Sequence, residues 1–179
     1  MKTIKLGILL IVFMLASCAV MDQEHNSKPL ERDAKWALLP IVNHTDVPQA
    51  GLRAEAMVEV LLRTRGIGNL RSYPPALNQD SLFEPAERKV VIDAMNWARE
   101  QGVRYAVTGA VEEWHYKVGI DGEPAVGMTL QIIDLKDGDR VVWSSVGSKS
   151  GWSREALSAV AQKLIKNMLS EASIEASIE

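Results

Sequence analysis

The chain of 179 residues contains a single cysteine, Cys18, so no disulfide can form within it. Its three histidines, His25, His44 and His115, are far apart, and no two have the spacing of ligands to one metal ion. Neither a Gly-x-Ser-x-Gly nucleophile motif nor a phosphate-binding glycine loop with lysine occurs. We therefore expect a protein that is not an enzyme and that holds no metal or cofactor.

The sequence also lacks an apolar run of the length that a retained membrane span requires. Between Lys5 and Asp22 lie 16 uncharged residues, whereas a spanning helix needs about 20. Lys2 precedes this run, and the small residues Ala16 and Ser17 stand near its end. This pattern is typical of a cleaved export signal peptide, which we assign to residues 1–17.

Leu15-Ala16-Ser17-Cys18 resembles the lipobox of bacterial lipoproteins. The resemblance implies that two acyl chains are attached through the Cys18 sulfur, that the chain is cleaved before Cys18, and that the new amine is acylated, for example by palmitate. Two or more acyl chains anchor a protein stably, whereas one holds it only marginally. In such lipoproteins an aspartate after the cysteine favours the inner membrane. Ala19 stands there instead, so the resemblance implies the outer membrane.

The predicted mature chain has fewer basic than acidic side chains. Removal of residues 1–17 takes away Lys2 and Lys5 and no acid, which leaves 18 basic and 23 acidic side chains and a net charge of −5. Lys and Arg supply most of the affinity for nucleic acid by neutralising phosphates. A nucleic-acid partner is therefore disfavoured, and a cationic partner is favoured.

The hydrophobic pattern divides the mature chain into three parts. Residues 18–34 are polar, include a proline and show no apolar period, so we predict a flexible tether. Residues 35–172 are predicted to form a single α/β domain. Residues 173–179 repeat the letters EASIE and are predicted to be a disordered tail.

Within the domain, apolar periodicity predicts the order β-α-β-α-β-β-β-α. This order corresponds to an α+β fold with one mixed sheet, about three helices and a C-terminal antiparallel meander of three strands. Asp121-Gly122 and Asp137-Gly138 are the predicted hairpin turns. Ser153 is the predicted N-cap of the last helix. The predicted strands are residues 35–41, 70–73, 104–118, 125–135 and 140–149, and the predicted helices are residues 50–65, 85–101 and 153–170.

Strict alternation along residues 104–118 predicts that Glu112 and Trp114 share one face of their strand. Helices that lie mostly on one side of the sheet would leave the other side uncovered. If Thr108, Ala110, Thr129, Gln131 and Ser144 lie on that second side, it is polar enough for water or for a neighbouring subunit.

Carboxylates cluster around both predicted hairpins. Glu112, Glu113, Asp121 and Glu123 lie in or beside the first hairpin, and three aspartates surround the second turn, which lies at the opposite end of the sheet. Acidic residues favour turns and protect sheet edges from aggregation. Alternatively, in a ring of subunits each acid would become a circle of negative charge that attracts a positively charged chain.

Two of the five tryptophans are candidates for contact with a membrane. Trp152 lies between a strand and a helix, where an aromatic ring either caps the core or anchors the protein at the lipid–water interface. Trp143 lies in a predicted strand, where packing in the core or in an interface is expected. Trp97 lies on the apolar stripe of its helix and is expected in the core.

Several segments resemble the PelC family, the outer-membrane lipoproteins of Pel polysaccharide export. The similarity spans residues 36–169. Its segments are residues 38–45 (LLPIVNHT), 48–51 (PQAG), 105–114 (YAVTGAVEEW), 117–124 (KVGIDGEP), 142–144 (VWS) and 150–155 (SGWSRE).

The resemblance implies a lipoprotein that faces the periplasm and assembles as a ring of about a dozen subunits. The ring would lie beneath the Pel export porin and guide a partly deacetylated, cationic amino-sugar polysaccharide toward it for the biofilm matrix. The resemblance also implies a tryptophan ring that touches the bilayer, for which Trp152 is the first candidate and Trp143 the second. Asp121 and Glu123 match the family by motif as acids that guide the polymer, and Glu112 and Glu113 are further candidates.

A monomeric outer-membrane lipoprotein that binds and activates a periplasmic or cell-wall synthesis partner is the alternative. Such a protein needs a long reach, and a flexible tether of about 16 residues spans only about 22 Å. A hydrolase is a third option, against which the lack of a convergent catalytic set argues. The mass of the assembled protein separates the first two.

Overall fold

The computed structural model describes residues 19–25, 29–74, 86–118 and 122–176. The predicted signal peptide, Cys18 and Asp121 lie outside these residues. None of the helices in the described ranges is long and apolar enough to cross a membrane. The elements are β1 (Ala19–His25), β2 (Leu30–Glu31), β3 (Trp36–Asn43), α1 (Ala50–Thr64), β4 (Leu70–Ser72), α2 (Ala86–Glu100), β5 (Tyr105–Tyr116), β6 (Pro124–Asp134), β7 (Arg140–Ser150), α3 (Leu157–Ser170) and β8 (Ile174–Glu175).

One mixed sheet forms the centre of the molecule, in the order β1-β7-β6-β5-β3-β4. β3 pairs in parallel with β4 and β5, whereas β5, β6 and β7 form the antiparallel meander that the sequence predicts. Tyr105 pairs with Asp134 at one end of the meander, and Tyr116 pairs with Pro124 at the other. The predicted α+β fold is therefore confirmed, and its two acidic turns lie at opposite ends of the sheet.

Helices cover the two faces of the sheet unequally. α1 and α3 pack on one face and bury the larger core, which includes Trp36, Trp114 and Trp143. α2 packs over β3 on the other face, where Ala94 and Ala98 meet Ala37, Leu39 and Ala106. Most of β6 and β7 on this second side has no helix of the described residues over it. We call this side of β5, β6 and β7 the uncovered face.

A β-bulge in β3 determines how α1 docks. The pairing of β3 with β5 shifts between Leu38 and Ile41, around Pro40. The Ile41 N–H donates to the Glu55 Oε1 atom at 2.9 Å, and the Thr108 hydroxyl donates to the Pro40 carbonyl at 2.9 Å. Burial raises the pKa of Glu55, and the hydrogen bond from Ile41 partly opposes that rise. The backbone groups left without strand partners by the bulge are thus satisfied by side chains.

The docking of α1 on this bulge also requires a glycine. A Cβ atom on Gly51 would lie 2.2 Å from the Ile41 carbonyl oxygen, closer than any side chain can approach. Gly51 therefore allows the first turn of α1 to lie directly against β3.

Within the segments predicted as a flexible tether (18–34) and as a disordered tail (173–179), some of the described residues form strands. β1 pairs antiparallel with β7 along seven residues, and β2 pairs in parallel with β8. The unpaired edge of β7 offers hydrogen-bonding groups that the N-terminal segment satisfies. These short strands lack the apolar periodicity from which the sequence predicts its other elements.

The last helix begins later than predicted. α3 starts at Leu157, and its N-cap is Ala156 with no capping side chain, so the prediction that Ser153 caps the helix is wrong. Arg154 adopts a left-handed conformation with φ of 70°, which cannot continue a right-handed helix. The Leu157 N–H instead donates to the Tyr116 hydroxyl at 3.1 Å, so the group that satisfies the start of α3 comes from β5.

Candidate functional site

A second β-bulge places the two adjacent glutamates of β5. The pairing of β5 with β6 passes from Val111–Met128 to Glu113–Gly127, so Glu112 is an extra residue. Glu113 consequently lies on the uncovered face, beside Gly127, where an added Cβ would be 3.2 Å from the Glu113 Cβ. The prediction that Glu112 and Trp114 share a face is wrong, because the extra residue returns Trp114 to the helix-covered core, where it is buried.

Both of these glutamates face a histidine. The His44 Nδ1 atom lies 3.0 and 3.1 Å from the two Glu112 carboxylate oxygens, and the His115 Nε2 atom lies 3.4 Å from Glu113 Oε1. All four side chains are at least one-third exposed. In these two contacts the carboxylates therefore meet imidazole rings rather than a lysine or an arginine side chain.

The acids at the opposite end of the sheet have arginine partners. Asp139 Oδ2 lies 2.6 Å from Arg99 Nη2, Asp134 lies 3.4 Å from the Arg104 side chain, and Asp137 forms an ion pair with Arg140. Arginine stays charged at every physiological pH. The carboxylates of Glu112 and Glu113, by contrast, lie at the other end of the sheet beside histidines.

The first hairpin contributes a further carboxylate at this same end. Glu123 is exposed, and its Oε2 atom lies 4.0 Å from the Lys117 Nζ atom. The partner residue predicted with it, Asp121, lies outside the described residues. Glu112, Glu113 and Glu123 are thus brought to one end of the sheet by the antiparallel hairpin.

Beyond these acids the hairpin and the residues after β7 form one tip, which we define as residues 116–118, 122–124 and 150–155. The Gly151 N–H donates to the Pro124 carbonyl at 2.8 Å, and Lys117 Nζ donates to the Ser150 hydroxyl at 2.7 Å. Trp152 is 62% exposed, and Val118 is fully exposed. An exposed tryptophan and an exposed valine on one tip, together with Lys117, suit a lipid–water interface.

Glu155 fixes the turn that presents Trp152. Its Oε2 atom accepts the Trp152 N–H at 3.2 Å, and its Oε1 atom accepts Lys163 Nζ at 2.5 Å. The hydrogen bond from Lys163 is the main cause that lowers the Glu155 pKa, and the Trp152 N–H adds to it. A Cβ on Gly151 would lie 2.5 Å from Val160 and 2.8 Å from Pro124, so only glycine fits between hairpin and helix. The tip is therefore a defined structure that leaves the indole exposed.

Trp143, the second candidate for membrane contact, is not available for that role. Its side chain is 2% exposed and belongs to the core beneath α1 and α3. Its indole N–H has no hydrogen-bond partner among the described residues. The prediction of membrane contact is wrong for Trp143 because its side chain points to the helix-covered side of β7, whereas Trp152 lies beyond the end of the strand.

The polar residues expected on the second side of the sheet lie there. Thr108 pairs with Gln131 and Gln131 with Ser144, so these residues lie side by side on the uncovered face as expected. Among the described residues, no group of three or more His, Cys, Asp and Glu side chains is placed to hold a metal ion.

The sequence did not predict the contact between His44 and Glu112. The one feature of the sequence that could have indicated this contact is that β3 and β5 are both buried strands, which could lie side by side in parallel.

Solved structures with the same fold include PelC dodecamers from Paraburkholderia phytofirmans. One, in space group P6, is 39% identical to this chain over 88% of it and 99% of the other chain, with a TM-score of 0.72. A point variant of that protein, in space group C2, is 38% identical over 88% of this chain and 100% of the other, with a TM-score of 0.71. Lipoprotein GNA1162 from Neisseria meningitidis, at 16% identity and a TM-score of 0.52, shares the fold alone.

No protein-family model and no curated protein sequence matches the chain. The agreement with PelC nevertheless extends over almost the whole length of the solved PelC chains. The chain therefore belongs to the PelC family.

Proposed function

We propose that this protein is a non-enzymatic outer-membrane lipoprotein whose copies form a ring that guides a cationic Pel-type exopolysaccharide to an export porin. The observation that carries the proposal is the 39% identity, over 88% of the chain, with a PelC that was solved as a dodecamer. A dodecameric relative favours the ring over the monomeric activator, because the latter acts as a single copy.

Ala19, which follows the proposed lipid attachment site, lies at the same end of the molecule as the tip. Ala19, the residue after Cys18, pairs with Lys149, three residues before Trp152. A lipid attached at Cys18 would therefore enter the bilayer close to Trp152 and Val118. Two attachments at one end orient the protein, since the acyl chains supply affinity and the exposed side chains limit how it tilts.

The acidic end of the sheet accounts for an attraction to a cationic polymer. Glu112, Glu113 and Glu123 lie at the end that adjoins the tip, and the mature chain has a net charge of −5. One exposed ion pair contributes only about 0–1 kcal/mol. A ring repeats each carboxylate many times, so the polymer is concentrated by many weak contacts and released from each of them easily.

Glu112→Gln/Glu113→Gln tests the guiding role, with glucosamine oligomers as the cationic probe and N-acetylglucosamine oligomers as the neutral one. We expect the full lipoprotein in detergent to retain the cationic oligomer at low salt and to lose it at 1 M salt, where screening acts over about 3 Å. The double variant should lose most of this retention while keeping the mass of the assembly.

Asp137→Asn/Asp139→Asn is the matched control, because it removes two arginine-paired charges from the opposite end of the sheet. Its retention of the oligomer should equal that of the unaltered protein. Equal retention by the Glu112/Glu113 variant, or capture that ignores salt, would contradict the guiding role. Native mass spectrometry that finds only single subunits would contradict the ring.

A further inference from the structure

A small cavity lies between the last turns of α1 and α3. It encloses about 240 Å³, and its walls are mainly apolar. The residues that line it are Leu61, Thr64, Arg65, Lys166, Leu169 and Ser170. α1 begins after β3 ends and is followed by β4, which pairs with the start of β3. We call this feature the distal cavity, because it lies at the end of the fold opposite to Glu112 and Glu113.

Arg65 is the exceptional residue of the distal cavity. Its Nη2 atom donates to the Ala172 carbonyl at 2.7 Å, but its Nη1 atom is buried and has no hydrogen-bond partner among the described residues. Burial also lowers the pKa of Arg65. A charged donor that is removed from water and left without an acceptor costs free energy. In a native protein the usual explanation for such a group is a bound water or ion.

The position of Arg65 at the end of a helix explains only half of its side chain. Cations near the last turn stabilise the free carbonyl groups there, and the bond from Nη2 to Ala172, just beyond α3, is of this kind. The cavity wall offers nothing comparable to Nη1. Its two hydroxyls, on Thr64 and Ser170, each donate to a carbonyl of their own helix, at 2.8 and 2.6 Å. The residues that line the cavity include two cations and no acid.

We propose that the distal cavity binds a small aliphatic carboxylate, with its charged end against Arg65 and Lys166 and its alkyl chain against the leucines of the wall. A carboxylate carries one charge and matches the planar fork of a guanidinium. The carbonyl ends of the two helices carry partial negative charge, which opposes a doubly charged ion such as phosphate. Because Nη1 is covered, the guanidinium turns toward the cavity as the carboxylate enters.

The volume of the cavity limits the length of the alkyl chain. The space of about 240 Å³ corresponds to roughly eight water molecules at about 30 Å³ each. A carboxylate with about that many non-hydrogen atoms, such as hexanoate, therefore fills the cavity.

This site is independent of the proposed polymer guidance. It lies at the other end of the sheet from Glu112 and Glu113, and its cations repel a positively charged polymer. Glucosamine oligomers should therefore not displace hexanoate, and a protein that fails to retain the polymer would still bind the carboxylate.

Titration calorimetry with hexanoate tests the site in the mature chain with Cys18→Ser, since this chain needs no detergent that would compete for an apolar cavity. We expect one hexanoate per chain, and binding of hexanol, which lacks the charge, at least about tenfold weaker. Arg65→Gln should weaken hexanoate binding by a similar factor. Arg63→Gln is the matched control, because it removes a cation that is paired with Glu59 and lies outside the cavity, and its affinity should be unchanged.

Two further variants keep the test decisive if Arg65→Gln does not fold. Lys166 is exposed, so Lys166→Gln should fold normally and bind hexanoate about threefold more weakly. Deletion of residues 177–179 should leave the affinity unchanged, whereas a gain would mean that Glu179 of the same chain competes for the cavity. Such a gain, equal binding of hexanol and hexanoate, or full affinity in both Arg65→Gln and Lys166→Gln would overturn the inference.

Discussion

The His44 Nδ1 atom lies 3.0 Å from Glu112 Oε2 and links the loop after β3 to the bulge of β5 across 68 residues of sequence. The link depends on the parallel pairing of β3 with β5, which sets Asn43 beside Val111. It also places an imidazole ring, rather than a lysine or an arginine side chain, beside the Glu112 carboxylate.

Glu55 predicts a pH effect on the free energy of unfolding. Burial raises its pKa above the ordinary value of 4.5, so in the window above 4.5 the folded chain keeps a proton that the unfolded chain has released. Stability therefore falls as pH rises through that window. Glu55→Gln should remove this fall, because the amide oxygen still accepts the Ile41 N–H without a charge.

Glu55→Ala separates the hydrogen bond from the charge. It leaves the Ile41 N–H without its acceptor, which should cost about 1–3 kcal/mol of unfolding free energy. Urea titrations at several pH values measure both variants. A Glu55→Ala variant as stable as Glu55→Gln would show that water satisfies Ile41 and that the carboxylate does not fix the bulge.

Trp152 and Val118 predict membrane affinity that is independent of the lipid anchor. A mature chain with Cys18→Ser should still bind vesicles of phosphatidylethanolamine and phosphatidylglycerol, because both apolar side chains are exposed at the tip. Trp152→Ser should weaken this binding at least about tenfold, which corresponds to 1.4 kcal/mol. Ile92→Ser, at an exposed apolar residue of α2, serves as the control and should leave binding unchanged.

Gly151→Ala predicts how the tip depends on close packing. The added methyl group would overlap Val160, Glu155 and Pro124, so we expect a loss of about 1–3 kcal/mol of stability and a displaced Trp152 turn. Gly68→Ala is the matched control, since a Cβ there meets no atom within 4 Å. Thermal unfolding and tryptophan fluorescence measure the two effects. Equal stability of both variants would show that the hairpin and α3 can separate.

The long, periodic elements of this fold could be predicted from sequence because their signals are local. The apolar stripe of α1 and the strand alternation around Val107 and Leu130 depend only on which neighbours are apolar, so the element order was found correctly. The edge strands could not be found in this way. β1 has no apolar alternation of its own, and its pairing depends on the free edge of β7.

The candidate site could be predicted only in part, since a single inserted residue determines it. The glutamates were recognised, but strict alternation put Trp114 on the wrong side, because no local signal marks Glu112 as a bulge. Trp143 and Trp152 are only nine positions apart, and only the three-dimensional structure shows that one ends in the core and the other in solvent.

The pairing of β1 with β7 limits how far the domain could stand from the proposed lipid anchor. Ala19 is paired into the sheet beside Lys149, so almost no free chain separates the proposed acylation site, Cys18, from the folded body. If Cys18 carries lipid as proposed, the domain stays against the surface of the membrane and does not extend toward the peptidoglycan. Its partners would then have to meet it at the membrane, as the proposed export porin would.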